Sequence, residues 1–228
     1  MILKKILLGF GCVILCAGGI GLFEWYQATQ LPAWYTTSTT AKPLPLNDKI
    51  GIQQARKQIL HKSQLQDPSK SEAQLNADEV NTLIAASIVT KAHPQLAQAV
   101  KATNTQIHDG KISTGAVIDL QKVSQEQGTA RQLAIAKLIK SVPDLKNRSV
   151  YIGIEGKPIV RNHQITLDDT SHVKVGNLSL TLSELSQRLG IPQERLQQQI
   201  SQRLIDLPLE VDGGEIVGDR LIIRKARQ

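Results

Sequence analysis

The sequence predicts an N-terminal transmembrane helix followed by one α+β domain, an antiparallel sheet packed with helices. Three observations carry that expectation. Ile6 to Phe23 is a run of 18 residues without a charged side chain, and as a helix it would be about 27 Å long, close to the thickness of bilayer hydrocarbon. Val80, Leu83, Ile84 and Ile88 recur at helical spacing behind a capping signal. Asp109-Gly110 then separates two short β-rich runs, and more strand-like segments follow without regular strand–helix–strand alternation.

Lys4 and Lys5 lead into the apolar run, and Glu24, Trp25 and Tyr26 close it. Six of the seven aromatic residues (Phe10, Phe23, Trp25, Tyr26, Trp34, Tyr35) fall in the first 35 positions, leaving Tyr151 alone for the rest. Amphipathic rings suit the headgroup layer, so Ile6, Phe23, Trp25 and Tyr26 mark the expected anchor. The positive-inside rule puts 1–5 in the cytoplasm, 6–24 in the bilayer and the remainder outside. A cleaved signal peptide, with Ala17 and Gly19 before the cut, is the rival reading. Ile20 to Phe23 continue the apolar run past that cut, which favours an uncleaved anchor. Leu15 is too large for the position before a lipoprotein cysteine at Cys16.

Cys12 and Cys16 both lie in the apolar run, so no disulfide or thiolate is available to the outer domain. Beyond Lys4 and Lys5 the chain holds 25 basic and 20 acidic residues, a net of +5. That mild excess suits an anionic bilayer surface or another acidic partner.

Residues 25–48 are expected to form a Pro/Thr-rich linker, because Pro32, Pro43 and Pro45 oppose regular structure. The domain is expected to fill 49–228. Lys49–Lys62 is an amphipathic basic helix, with Ile52, Ala55 and Ile59 on one face and Arg56, Lys57 and Lys62 around it. It either docks on its own domain, the preferred reading, or lies on headgroups. Gln64–Gln74 is polar and loop-like. Asn76 followed by Glu79 has capping-box spacing and opens a helix from Ala77 to about Lys91. A short helix is expected at Leu96–Lys101.

Thr105–His108 and Lys111–Thr114 flank Asp109-Gly110 as a hairpin that continues through Ala116–Leu120. Ser124–Ser141 is helical in pattern and ends before Pro143. Val150–Ile154, Pro158–Val160, Gln164–Leu167 and His172–Val175 are strands, and Leu178–Leu180 leads into a helix at Leu182–Leu189. Gly190 stops it, and a second helix covers Pro192–Leu204. Leu207–Val211, a Gly213-Gly214 turn and Asp219–Arg224 close the chain.

Leu182–Ile200 resembles the helix-turn-helix family through Leu185, Leu189, Gly190, Ile191 and Leu196. Ser186, Gln199 and Pro192 depart from that pattern. Arg195 and Arg203 are the phosphate candidates, beside weakly basic Gln197, Gln198 and Gln202. A location across the membrane from DNA disfavours nucleic acid as a partner, and a capped helix pair is the preferred account; with the topology reversed, DNA binding is the weaker alternative. His163 and His172, with Asp168 and Asp169 between them, lack compact metal-ligand spacing, so turn chemistry is preferred there. Glu155 and Asp119 are paired acids only if the fold joins them. No G-x-S-x-G, H-E-x-x-H or phosphate loop is present, and neither catalysis nor a cofactor is expected.

A broader likeness lies in Leu75, Asn76, Glu79, Val80, Asn81, Leu83 and Ile84, then Ile107 to Ile112, Val150–Pro158 and Val175–Leu180. Together these resemble bacterial membrane-tethered proteins related to the tubular lipid-binding superfamily. The resemblance implies a long curled antiparallel sheet against helices, with an apolar groove for acyl chains. In the strands, Val150, Ile152 and Ile154 alternate, as do Ile165 and Leu167, and these five are the candidate groove residues. A filled core explains the same alternation and is the default account of it. The expectation is a non-enzymatic module whose partner is membrane lipid, or alternatively an envelope protein.

Overall fold

A computed structural model of the chain describes residues 26–36, 48–62, 71–91, 94–123, 149–161, 164–168, 170–201 and 211–225. The expected anchor at 6–24 and the helix expected at 124–141 lie outside them. Among the described residues no helix is long and apolar enough to cross a membrane.

Residues 26–29 are helical, and α1 (Ala33–Thr36) follows. The next elements are α2 (Lys49–Lys62), β1 (Glu72–Asn76), α3 (Ala77–Lys91), α4 (Pro94–Ala99), β2 (Val100–His108), β3 (Lys111–Asp119) and α5 (Leu120–Val123). After these come β4 (Ser149–Gly156), β5 (Pro158–Arg161), β6 (Gln164–Leu167), β7 (His172–Val175) and β8 (Leu178–Thr181). The chain continues through α6 (Leu182–Leu189), α7 (Gln193–Ser201), β9 (Val211–Val217) and β10 (Arg220–Lys225).

The architecture is α+β, and among the described residues every strand pairing is antiparallel. The described strands form three sheets: β2-β3-β4-β7-β8, β1-β10-β9, and β5-β6. The β2–β3 turn is as the sequence predicts. Asp109 and Gly110 take φ of 51° and 70°, the left-handed pair that a two-residue hairpin turn requires. Both strands run further than the β-rich residues beside the turn, because β3 is sandwiched along its length, by β2 on one side and β4 on the other.

Three expectations are corrected. Glu72–Asn76, within and just after a loop-like stretch, is strand β1, held by pairing with β10 from Glu72↔Arg224 to Asn76↔Arg220. Gly213-Gly214 is not a turn but lies inside β9, opposite Arg224 and Ile223. The reversal falls instead at Gly218, with φ 62°. Residues 26–36, the first part of the expected linker, are packed onto the domain, as described below.

Asn76 and Glu79 form the capping box that their spacing implies. The Glu79 amide donates to Asn76 Oδ1 and the Asn76 amide to Glu79 Oε2, each at 2.9 Å. Helix α3 packs between α2 and β2, so its buried stripe is wider than the aliphatic periodicity suggests. Val80 and Leu83 join Leu60, Leu75, Ile107, Ile112, Leu221 and Ile223 in the largest apolar cluster, while Ala85 and Ala86 meet Ile52 and Val100 in another. Helix α2 is thus docked on its own domain through Ile52 and Leu60. Within that interior, Asn81 Nδ2 donates to the Thr103 carbonyl and Thr105 Oγ1 to Asn81 Oδ1.

Candidate functional site

Strands β4 and β7 present aliphatic side chains to the helix-covered face of the five-stranded sheet. Register places Ile154 opposite Val173 and Ile152 opposite Val175. Alternation puts Val150, Ile152 and Ile154 on one face, as expected from the sequence. Their surroundings differ. Val150, 2% exposed, is packed with Ala28, Leu120 and Val175, so it belongs to a filled interior. Ile152, Ile154 and Val173 are only half-buried.

Three apolar clusters meet at that strip. Ile154 packs against the large cluster around Leu83 and Ile112; Ile152 packs against the one around Val150. Val173 touches both the Val150 cluster and a fourth made by Leu180, Leu185 and Leu196. A seam between clusters is where interior packing is least continuous, and its half-buried aliphatics still have apolar surface to bury. Ile165 and Leu167 belong to a different sheet, paired with Val160 and Pro158, so the strip is not continued by hydrogen-bonded strands into β6.

The opposite face is built around Tyr151. Gly115 and Gly153 are register partners on β3 and β4, and a Cβ at either would lie 2.5 Å from the Tyr151 hydroxyl. The two glycines therefore form a slot that the phenol ring fills. Trp34 covers the ring in a T-shaped contact, with centroids 5.9 Å apart, and Tyr35 stands edge-on to Trp34 at 5.8 Å. Burial, helped by the nearby Glu155 charge, raises the Tyr151 phenol to about 12. It is neutral at ordinary pH and is no proton acceptor there.

Beyond the slot Glu155 accepts a hydrogen bond from Lys174 Nζ. That bond lowers the Glu155 carboxyl despite partial burial, aided by the Lys174, Lys111 and His108 charges. His172 lies opposite Glu155 in register. Asp119 does not join this group. It pairs with Ser149 at the other end of β4, six residues from Glu155, about 20 Å at strand rise. There it accepts from the Gln121 amide and pairs with Lys101. The two acids are not a catalytic pair.

Asp168 is turn chemistry, accepting from the Thr170 and Ser171 hydroxyls. Those bonds and the Lys157 amide bring its carboxyl below the usual range against the opposing effect of burial. His163 and Asp169 lie outside the described residues. Among the described residues no cluster of three metal-ligating side chains occurs.

The helix-turn-helix likeness resolves into α6, Gly190 at φ 64° and α7. Leu185, Leu196 and Ile191 pack with Leu180 and Val173. Ser186, one of the three departures from the motif, donates its hydroxyl to the Ile191 carbonyl at 2.7 Å and so ties the turn. Arg195 is exposed; Arg203 lies outside the described residues.

Val173, Ala28 and Trp34 were not legible as site residues. Val173 sits in a four-residue strand too short for a periodicity signal, and in sequence Trp34 groups with the aromatics that suit a membrane interface. The usable signal was Gly115 and Gly153, since glycine inside a strand marks close approach by another group. No protein-family model matches the chain, and no curated protein matches it.

Proposed function

We propose that this chain is a membrane-anchored, extracytoplasmic, non-enzymatic module that binds an acyl chain or another hydrophobic ligand along the β4–β7 strip. The observation that carries the reading is the set Ile152, Ile154 and Val173: adjacent in register, on one face, and left half-buried where apolar clusters meet. The uncharged run at 6–23 and the resemblance to tubular lipid-binding proteins support the same reading. Covering the three half-exposed side chains contributes about 1 kcal/mol each, and each buried ligand methylene about 0.8 kcal/mol. A long acyl chain is therefore a reasonable match to the strip, whereas a short polar solute is not.

The test is native mass spectrometry of the full chain extracted from membranes and then offered lipid vesicles. Bound lipid is expected on the wild type, with at least a tenfold loss of uptake in Ile154→Asp and Val173→Asp. A wild-type chain that carries no lipid and takes none up overturns the reading.

A further inference from the structure

We infer that the domain is clamped to the bilayer rather than hung from it. The contact surface is the end of the five-stranded sheet bearing Tyr26, Ile50, Lys49 and Lys122, seated on phospholipid headgroups. This rests on the anchor reading above and adds an orientation to it.

The residues just after the anchor are not free. Ala28 is 1% exposed, packed with Leu120, Val150 and Val175. The Asn177 amide donates to the Gln27 carbonyl at 2.8 Å, and its side-chain amide donates to Gln30 Oε1 at 2.6 Å. Gly176, at φ 58°, packs so closely that a Cβ there would lie 2.5 Å from the Gln27 and Ala28 carbonyl oxygens. Trp34 then lies on Tyr151. Position and direction of 26–36 are fixed by these contacts together.

Chain length does the rest. Phe23, the last residue of the apolar run, is three peptide steps from Tyr26, at most about 11 Å. With the exit from hydrocarbon at Phe23, the Tyr26 end of the sheet has to be within that distance of it.

The same end carries the surface that a headgroup layer needs. Ile118 packs against both the Ala28 cluster and the Ile52 cluster, so the start of α2 lies at this end too. Of three large hydrophobics that are exposed among the described residues, Tyr26 at 57% and Ile50 at 74% are here; Val217 is the third. Exposed Lys49 and Lys122 sit on α2 and α5, and Lys101, on the β2 bulge, reaches Ser149 and Asp119. Asp48 also lies at this end, accepting from the Gly51 amide, so Lys49, Lys101 and Lys122 face Asp48 and Asp119 there, a net of one positive charge. Aromatic and aliphatic side chains rimmed by lysines match phosphate headgroups above hydrocarbon.

The experiment uses the full chain with Cys12→Ala and Cys16→Ala, and one cysteine introduced at Ile50 or Asp109 for an environment-sensitive fluorophore. Asp109 lies at the far end of β2, about 30 Å along the strand from Val100. Vesicles are 3:1 phosphatidylcholine to phosphatidylglycerol. The label at 50 is expected to shift to the blue and be quenched by headgroup nitroxide lipids, with the label at 109 staying aqueous. Ten Gly/Ser residues inserted between Trp25 and Tyr26 are expected to abolish the difference. Protein that survives a carbonate wash yet shows equal aqueous signals at both sites overturns the clamp and leaves the anchor standing. Protein that washes off overturns both.

Discussion

Trp34 stands edge-on to Tyr151, ring planes 77° apart and centroids 5.9 Å apart, across 117 residues of chain. That contact joins the segment after the expected anchor to the middle of the central sheet, and it makes Trp34 part of the domain's stability. Trp34→Ala is expected to cost about 2 kcal/mol, less than a fully buried tryptophan because the ring is half-buried. Urea unfolding of the full chain measures it; a change below about 0.5 kcal/mol means the contact holds nothing.

Gly153→Ala places a methyl where the Tyr151 ring lies. Overpacking of this kind costs about 1–3 kcal/mol. In a Tyr151→Leu background, which shortens the obstructing side chain, the same change is expected to cost at least 1 kcal/mol less. Additive costs in the double variant refute the slot.

Asn76→Ala removes the acceptor for the Glu79 amide at the start of α3. A loss of about 1 kcal/mol is expected, and Asn76→Asp, which keeps an acceptor, is expected to lose little. Equal losses in the two variants discount the cap.

Tyr151 titrates later in the fold, at about 12 rather than 10.0, because burial and the Glu155 charge disfavour the phenolate. The unfolded chain releases this proton first as pH rises. The contribution is therefore present in full below pH 10 and is lost between 10 and about 12, on the order of 2 kcal/mol. Tyr151→Phe is expected to flatten the stability profile over that range in denaturation series at fixed pH. An unchanged alkaline slope contradicts the assignment.

Glu155 works at the other limb. Its carboxyl is lowered from 4.5, chiefly by the Lys174 hydrogen bond. A depressed folded value means stability that is present above the unfolded value and lost as pH falls through the folded one. Glu155→Gln is expected to lessen the acid dependence below about pH 5, and Lys174→Met to move the acid limb upward. Identical acid limbs in wild type and Glu155→Gln contradict the pairing.

Local chemistry made much of this fold legible. Asn76 and Glu79 announced α3, Asp109-Gly110 the β2–β3 turn, and Gly190 the end of α6, because capping geometry and left-handed backbone depend on residues a few positions apart. Alternation likewise placed Val150, Ile152 and Ile154 on one face of β4. Strand β1 was not legible, since Glu72–Asn76 holds its conformation through β10, some 150 residues away. Nor does alternation say that Val150 is filled in while Ile152 and Ile154 are half-buried. Which clusters meet over a strip depends on Val173 and on helices from distant parts of the chain. The fate of residues 26–36 was decided the same way. Composition made them a linker, and only the folded sheet supplied Gly176, Asn177 and Tyr151 to dock against. Short-range geometry is written in neighbouring residues; burial is set by whichever partners the tertiary fold delivers.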